Sequence, residues 1–385
     1  MRTLHFVENY LQVTETFIYN YICKSAGIGE AAIVTFDIIN REQFPLPEGV
    51  RIYQLKKDPA FSRRHLFQLH WLLLGKVTGR RIWYRELERV IGDFQPDVVH
   101  CHFGVTGVYF TDFSRFQKRR VPYITNFYGY DASELPRRDK VYAQGLTRLW
   151  QDGNWMLAEG PAMGQRLELL GAPAGKVRLS PIIIDGRKYP VKNERPPDDK
   201  TPIRFLLIGR FVEKKGFHLF LEAIGRIKDE LPAFKIILIG SGPLEETYRS
   251  IIERYKLEAL VSFEGMKKLS ECMQYMLECD VLVQSSVTAS NGDSEGGAPT
   301  ILIEAQMTGI PVIASTHADI PFVMGYHDFL AKEGDVADLS RVIRSFMQSN
   351  NLSEKIRMGR KKAAEQHDMN VCKTYQELLL EFSPC

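Results

Sequence analysis

The sequence predicts an α/β protein with two doubly wound parallel sheets, one in each of two domains. Short apolar runs alternate with longer segments of helical periodicity in both halves of the chain, which is the pattern of βαβ units. The chain has 385 residues, which exceeds the roughly 250–300 that a single core accommodates. Between the two series of runs, the stretch from Tyr189 to Pro202 contains four prolines and little to bury, as expected of a boundary loop.

Eleven apolar runs are predicted to form strands. Those of the first half lie near Thr3–Val7, Ala32–Phe36, Arg51–Leu55, Asp97–Phe103, Tyr123–Phe127 and Trp155–Ala158. Those of the second half are Ile203–Ile208, Phe234–Ile239, Val261–Glu264, Val281–Gln284 and Pro311–Ala314. Helices are expected at roughly Gly216–Glu230, Leu244–Tyr255, Leu269–Glu278, Pro299–Thr308, Val336–Gln348 and Ser353–Glu365. The domains are therefore placed at residues 1–182 and 183–368. Ligands of such sheets bind beyond the carboxyl ends of the strands, so the expected site is the interdomain cleft.

The composition is that of an ordinary globular protein and excludes several classes. With 44% hydrophobic and 25% charged residues, the chain is neither disordered nor collagen-like. No apolar run approaches the roughly 20 residues of a membrane span, and Met1–Val7 lacks the layout of a secretion signal, so a cytoplasmic location is expected. The 6 cysteines include no CxxC pair, which argues for reduced thiols rather than a zinc or redox site.

The net charge of +3 conceals an asymmetry between the two halves. Residues 1–180 carry a surplus of basic side chains, and residues 56–89 contain nine of them beside Trp, Phe and Leu. Such a segment can bind an anionic membrane surface, or it can be an amphipathic helix packed on its own domain. No recognition motif accompanies the charge, so nucleic-acid binding is not expected.

Two glycine-containing turns follow strands of the second half. Gly209-Arg210-Phe-Val-Glu-Lys-Lys215-Gly216 places two cations at a strand-to-helix turn, which suits a diphosphate, although an exposed charged turn has the same pattern. Gly240-Ser-Gly-Pro243 is a weaker signal, because the third glycine of a dinucleotide fingerprint is missing.

The third motif is the most informative and runs from Asn291 to Ala314. Glu295-Gly-Gly-Ala-Pro299 leads into a helix whose amino end offers free backbone N–H groups, and Glu304 lies within that helix. Carboxylates in these places can accept hydrogen bonds from sugar hydroxyls. Taken singly, each glutamate is equally consistent with a helix cap or a surface residue.

In this order and spacing, the three motifs resemble the retaining GT-B glycosyltransferases of the group-one (family 4) type. The amino half adds three motifs that are similar to the subgroup that builds bacterial exopolysaccharides, such as the colanic-acid-type transferases: Val13-Thr-Glu-Thr-Phe-Ile18, His100-Cys-His-Phe-Gly104 and Tyr128-Gly-Tyr-Asp-Ala-Ser133. The resemblance covers most of the chain. It also implies that a C-terminal helix, at about residues 369–385, returns to the first domain.

The resemblance implies a role for each motif. Arg210, Lys215 and Glu295 would carry catalysis, the two cations by holding the diphosphate and Glu295 by contacting the donor sugar. Glu304 would bind the ribose, and the nucleobase would lie near Gly265 and Met266. The other donor-binding residues would be Gly209, Gly240, Gly296, Gly297, Ala298, Pro299 and Thr300. No Asp-x-Asp pair is present, so no metal and no other cofactor is expected, and the nucleotide sugar is a substrate.

On the acceptor or sugar side, the expected residues are Thr14, Glu15, Thr16, His102, Tyr128 and Asp131. A helix cap is an equal alternative for residues 14–16, and a structural hydrogen bond is one for His102. His100 and His102 share a face of a strand, but two nitrogen ligands are too few for a metal site.

Two positions depart from the family pattern. Glu295 and Glu304 enclose eight residues where seven are usual, and Tyr128 stands where many relatives have a histidine. Tyrosine donates a hydrogen bond but is a poor proton acceptor near neutral pH.

The predicted function is retaining, metal-independent transfer of a sugar from a nucleotide sugar, with UDP as the expected nucleotide, to a glycan or lipid-linked glycan. Polysaccharide biosynthesis at the inner membrane face is the expected setting. The alternatives are a nucleotide-sugar epimerase of the same fold and a non-catalytic nucleotide-sugar-binding partner protein.

Overall fold

The computed structural model divides the chain into two compact units. It describes residues 1–12, 15–56, 82–118, 120–192 and 201–383. The first unit comprises Met1–Ala158, Gly164–Ser180 and Lys373–Cys385, and the second comprises Glu159–Met163 and Pro181–Cys372.

The first unit contains a seven-stranded parallel sheet of order β5-β3-β1-β6-β7-β8-β9. Its strands are β1 (Arg2–Phe6), β3 (Glu30–Thr35), β5 (Arg51–Gln54), β6 (Val98–His102), β7 (Tyr123–Asn126), β8 (Trp155–Ala158) and β9 (Val177–Leu179), with a short separate pair of β2 (Asn9–Tyr10) and β4 (Asp37–Ile38). The helices between them are α1 (Thr16–Ile28), α2 (Ile82–Phe94), α3 (Gly104–Ser114), α4 (Glu134–Arg138), α5 (Lys140–Asp152) and α6 (Pro161–Leu169). The chain proceeds from β1 towards one edge and from β6 towards the other, so the topological switch point lies between these two strands.

The central strands β1 and β6 are buried on both faces, as their apolar runs predict. On one face of this pair, however, the buried side chains are polar. His5 pairs in register with His100, and His102 lies two residues further along the same face. All three imidazoles are fully buried.

The second unit contains a six-stranded parallel sheet of order β12-β11-β10-β13-β14-β15. Its strands are β10 (Ile203–Ile208), β11 (Phe234–Ile239), β12 (Val261–Gly265), β13 (Val281–Gln284), β14 (Val312–Ser315) and β15 (Leu330–Ala331). Its helices are α7 (Phe217–Ile227), α8 (Glu245–Tyr255), α9 (Leu269–Glu278), α10 (Thr300–Thr308), α11 (Ile320–Val323), α12 (Val336–Met347) and α13 (Leu352–His367). Here the switch point lies between β10 and β13.

After α13 the chain passes to the first unit. Helix α14 (Thr374–Leu380) packs there against α1. The rings of Tyr375 and Tyr21 meet edge to face with their centroids 4.6 Å apart, and Leu379 is fully buried. In this way the last helix closes the core of the first unit.

The eleven predicted strands and the six predicted helices are present, with ends that differ by a few residues. The strands that the sequence did not indicate, β2, β4, β9 and β15, have only two or three residues each. Such short runs carry no periodicity, and only their neighbours in the sheet make them strands. In the part of the chain that the structure describes, no helix is both long and apolar enough to cross a membrane.

Gly240 provides a test of how the loops of the second unit are packed. Its φ is +137°, and a Cβ there would overlap the carbonyl oxygen of Gly209. Gly334 also has a positive φ, of +72°, but nothing lies near its missing Cβ. We expect Gly240→Ala to lower the free energy of unfolding by about 3 kcal/mol or more and Gly334→Ala by about 1 kcal/mol, because only the first adds a backbone clash to the strain. Chemical denaturation would measure both, and equal losses would contradict this packing.

Candidate functional site

The three motifs of the second half meet at the carboxyl edge of one sheet. The loop from Gly209 to Gly216 follows β10, the loop at Gly240 follows β11, and the loop that contains Glu295 follows β13. Strands β10 and β13 flank the switch point, where the loops of a doubly wound sheet diverge and leave a crevice. The site predicted from three separate motifs is therefore one place in the second unit.

Backbone hydrogen bonds join the two glycine-containing loops. The N–H of Phe211 donates to the carbonyl of Ser241 at 2.9 Å, and the N–H of Leu244 donates to the carbonyl of Phe211 at 3.0 Å. With no Cβ at Gly240, its backbone lies directly against Gly209. These contacts fix the position of Arg210 without using its side chain.

The two predicted phosphate-binding cations have different surroundings. Arg210 is exposed, and no hydrogen bond or ion pair of its side chain is found among the described residues. The Nζ of Lys215 lies 2.7 Å from Oε1 of Glu295, and both side chains are largely buried. One cation is thus available to an incoming anion, while the other is neutralised by a carboxylate of the site.

Further pairs attach the loop after β13 to the loop after β10. The ammonium of Lys214 is 3.0 Å from a carboxylate oxygen of Asp293 and also donates to the carbonyl of Ser294. The carboxylate of Glu213 accepts hydrogen bonds from the backbone and hydroxyl of Ser290 at 2.9 and 2.6 Å. The sequence did not identify Lys214 or Glu213 as residues of the site. The available signal was a charged run in the loop after β10 and an Asp-Ser-Glu run in the loop after β13.

The carboxylate of Glu295 is held from several sides. Burial raises its pKa, but the positive charges of Lys215 and Lys214 outweigh this effect and leave the pKa below its usual value. Its backbone N–H donates to Nε2 of His317 at 3.2 Å, and Nδ1 of that ring lies 3.1 Å from the carboxylate of Glu333. Glu295 is therefore ionised and fixed in place, and His317 is a contributor that the sequence did not reveal.

The residues after Glu295 lead directly into α10. Gly296 and Gly297 form the turn, Ala298 and Pro299 are buried, and Thr300 is the first helical residue. A Cβ at Gly297 would overlap the carboxylate of Glu159, a second buried acid that sequence reasoning missed. The first backbone N–H groups of α10 have no acceptor within the helix, so its amino end is suited to an anion.

Glu304 lies in the second turn of α10 and is almost completely buried. Its Oε1 accepts a hydrogen bond of 3.0 Å from the hydroxyl of Tyr189. Burial raises the pKa of Glu304 to about 7, because this single bond only partly compensates for the loss of water. Met266, the residue expected near the nucleobase, follows β12 and is 69% exposed.

Of the predicted residues at the start of α1, Thr14 lies outside the described residues. Glu15 is the N-cap position and Thr16 the first residue of the helix. The carboxylate of Glu15 accepts from the backbone N–H of Gln12 at 2.8 Å, so it stabilises the turn before the helix. Its side chain makes no hydrogen bond to the first N–H groups of α1, so it does not cap the helix.

Asp131 acts on the backbone around Tyr128. It is fully buried, and its carboxylate accepts hydrogen bonds from the N–H groups of Gly104, Tyr128 and Gly129 at 2.7–3.1 Å. Burial raises its pKa to about 6, and these bonds oppose the rise. The structure thus gives Asp131 a positioning role, since its oxygens bind the turn and are shielded from solvent.

His102 contacts Tyr128 within the first unit. Its Nδ1 is 2.8 Å from the Tyr128 hydroxyl, and its Nε2 is 2.9 Å from Nδ1 of His5. The structural alternative for His102 therefore matches its surroundings. His5, His100 and His102 each place a ring nitrogen within 4.8 Å of the others, so the sequence, which showed two nitrogens, missed the third.

Comparison with known proteins agrees with this architecture. A model described as "Glycosyl transferases group 1" matches residues 190–363, and one described as "Glycosyl transferase 4-like domain" matches residues 24–182. The chain is 30% identical over 320 residues to the putative colanic acid biosynthesis glycosyltransferase WcaL of Escherichia coli K12, covering 82% of this chain and 73% of that protein. The chain therefore belongs to the group 1 glycosyltransferases and is a glycosyltransferase of the GT-B fold.

Two further proteins illustrate the range of the likeness. The amylovoran biosynthesis glycosyltransferase AmsK of Erwinia amylovora is 29% identical over 387 residues, which cover 90% of this chain and 91% of AmsK. The crystal structure of Anabaena Alr3699/HepE in complex with UDP-glucose has a TM-score of 0.73 and 17% identity, and the match covers 99% of this chain and 100% of that chain. At this identity the structural likeness concerns the fold.

The buried Glu304 should lower the free energy of unfolding at neutral pH and above. Because its pKa is about 7 in the folded protein and about 4.5 in the unfolded chain, the folded state binds more protons between these values. Stability then falls as pH rises from about 4.5 to 7 and stays low above it. We expect Glu304→Gln to raise the free energy of unfolding by up to roughly 3 kcal/mol at pH 8 and by much less at pH 5.

The matched control is Glu258→Gln, which removes an exposed glutamate of the same unit. Denaturant unfolding at both pH values would measure the difference. A stability gain for Glu304→Gln that is the same at pH 5 and pH 8 would contradict the raised pKa.

Proposed function

We propose that this glycosyltransferase moves a sugar from a UDP-sugar to a glycan or lipid-linked glycan in exopolysaccharide biosynthesis, with retention of configuration and without a metal ion. The observation that carries the proposal is the meeting of Arg210, Lys215, Glu295 and Glu304 around the switch point of the second sheet. Relatives named for colanic acid and amylovoran biosynthesis support the setting. A structural neighbour that was solved with UDP-glucose supports UDP.

The diphosphate would lie at the cationic loop after β10. Arg210 offers a planar group that can bind two phosphate oxygens, and Lys215 offers a second positive charge beside it. As the bond from the sugar to the diphosphate breaks, negative charge grows on the leaving phosphate. Cations that are already in place stabilise this charge without reorganisation.

The rest of the donor would extend from this point. Glu304 would accept hydrogen bonds from ribose hydroxyls, and Glu295 would contact the donor sugar. The backbone at Gly296 and Gly297 would approach closely, since neither residue has a side chain. The acceptor oxygen would attack the face from which the diphosphate departs, and its proton would pass to the departing phosphate oxygen. No protein base is required for this step.

The same cations underlie the proposed independence of metal. With Arg210 and Lys215 at the diphosphate, positive charge comes from the chain itself, so activity should survive chelation. The basic part of the segment of residues 56–89 is proposed to hold the enzyme at the inner membrane face, whereas Trp83 and Tyr84 at its end are buried in the first unit, as the packed-helix alternative predicts. Residues 57–81 lie outside the described part of the chain, so this part of the proposal depends on the sequence pattern of basic and aromatic side chains.

A panel of nucleotide sugars would test the function. The proposal expects thermal stabilisation by UDP-sugars above other nucleotide sugars, since a donor at a hundred times its Kd adds about 2.7 kcal/mol. Release of UDP with EDTA present, together with a product of unchanged anomeric configuration, would support the full proposal. Conversion of the donor to its epimer without release of UDP would overturn it.

The phosphate assignment predicts that Arg210→Ala and Lys215→Ala each lower donor turnover by about a hundredfold or more, because each removes charge stabilisation of the leaving group. Arg210 is exposed, so Arg210→Ala should leave the unfolding temperature unchanged, whereas Lys215→Ala removes the partner of the buried Glu295 and should lower it, so turnover is measured well below the unfolding temperature of each variant. The control is Arg357→Ala, an exposed arginine on α13 of the same unit. Near wild-type turnover in either loop variant would contradict the assignment.

The pairing of Lys215 with Glu295 predicts that loss of the glutamate charge strengthens the binding of UDP. Glu295→Gln should bind UDP more tightly, by about threefold to tenfold, because Lys215 no longer exchanges one anionic partner for another. The same variant should lose transfer. Glu213→Gln removes a neighbouring negative charge whose contacts are with Ser290, so it should leave UDP affinity within about twofold. Isothermal titration calorimetry would compare the UDP affinities of the two variants, and weaker binding by Glu295→Gln would contradict the prediction.

A further inference from the structure

A continuous chain of hydrogen bonds runs through the core of the first unit. From Tyr128 it passes to His102 at 2.8 Å, to His5 at 2.9 Å and to Ser25 at 2.9 Å. It continues from Ser25 to Tyr375 at 3.0 Å, to His100 at 2.8 Å and ends at Oδ1 of Asn126 at 2.6 Å. Apart from Tyr128, each member is at most 1% exposed.

The three imidazoles in this chain are neutral. Burial lowers the pKa of His100 to about 4 and those of His5 and His102 well below the usual value, and for His5 and His102 the neighbouring rings add to the effect. Each ring therefore carries one proton and has one donor and one acceptor nitrogen. A chain of such rings can have only a consistent direction, since every donor must meet an acceptor.

Asn126 fixes that direction at one end. Its carbonyl oxygen only accepts, so Nε2 of His100 donates, and Nδ1 of His100 accepts the proton of the Tyr375 hydroxyl. Tyr375 has no second proton, so its contact with Ser25 requires Ser25 to donate. The Ser25 hydroxyl also lies 2.9 Å from the carbonyl of Tyr21, and in either direction its single proton points away from His5.

The remaining links follow from the position of the Ser25 proton. Nε2 of His5 donates to Ser25, so Nδ1 of His5 accepts from Nε2 of His102. Nδ1 of His102 then accepts, and the hydroxyl of Tyr128 must donate to it. Either acceptor of the Ser25 proton, the carbonyl of Tyr21 or the oxygen of Tyr375, gives the same result, so Ser25 determines the orientation of the phenol.

We propose that this hydrogen-bonded chain is a positioning device that commits the hydroxyl proton of Tyr128 to His102, so that Tyr128 meets a sugar hydroxyl with its oxygen as an acceptor. His102, His5 and Ser25 are positioning residues, and the hydrogen bond from Ser25 to the carbonyl of Tyr21 connects them to helix α1. The ligand class, a sugar hydroxyl, rests on the proposed function. The direction of the chain does not.

The direction is tested on the wild-type protein by nuclear magnetic resonance. Long-range ¹H–¹⁵N spectra of the histidine rings, assigned with single His→Gln variants, report which nitrogen of each ring carries the proton. The expected result is the Nε2–H form for His5, His100 and His102, without titration between about pH 5.5 and 8. An Nδ1–H form at His5 or His102, or an imidazolium at any of the three, would overturn the proposal.

The effect on function is tested with Ser25→Ala, Tyr128→Phe and the double variant, with UDP-glucose as the donor. Ser25→Ala removes the acceptor of the Nε2 proton of His5, so this proton can move to Nδ1 and the chain can reverse, and kcat should fall by about threefold to tenfold with an unchanged KM for UDP-glucose. The double variant should be no worse than Tyr128→Phe. Tyr19→Phe, which removes a hydroxyl that donates to Pro45, should behave as wild type.

Losses that multiply in the double variant, or an unchanged kcat in Ser25→Ala, would overturn the coupling of Tyr128 to Ser25. If wild-type protein does not turn over UDP-glucose, the proposed donor is wrong. The ring spectra still decide the direction of the chain, because they need neither substrate nor variant activity.

Discussion

Parallel strand pairing is the constraint on which both units depend. Every pairing in the two large sheets is parallel, so every strand of a sheet ends at the same edge and the loops that follow gather there. At the switch point the loops before and after diverge, which leaves room for a ligand. The motifs after β10, β11 and β13 lie far apart in the sequence and form one site for this reason alone.

Burial of acidic side chains at this site lowers the stability of the fold. Glu304 is buried with a single hydrogen bond, whereas the buried Glu295 is compensated by Lys215. A buried carboxylate without full compensation lowers stability. The pairs of Glu213 and Lys214 connect the two charged loops and offset part of this loss of stability. They hold the acids where a ligand would complete their hydrogen bonds. Stability is given up at the positions that the resemblance assigns to the donor, as is common at functional sites.

The two units stabilise their buried polar side chains in different ways. The second unit uses opposite charges, which leaves Lys215 and Glu295 ready to exchange partners. The first unit uses neutral groups joined end to end, from Tyr128 to Asn126, in which burial keeps each imidazole uncharged. A neutral network has a small desolvation cost once every member is paired, and it specifies a unique arrangement. It therefore fits a device that holds one hydroxyl in a fixed orientation.

Local pattern was enough to predict eleven strands, six helices and the fold class. Apolar periodicity depends on residues that are close in the sequence, and the GT-B resemblance depends on motifs that are read in order. The partners of the motif residues could not be predicted in this way. His5 is an ordinary residue of the first strand until parallel pairing places it beside His100, and Tyr375 is distant from both in the sequence. That Lys215 is paired while Arg210 is exposed, and that Tyr189 bonds to Glu304, were also decided by the tertiary structure. Such contacts and burial exist only once the strands have paired, because they join residues that no local pattern relates.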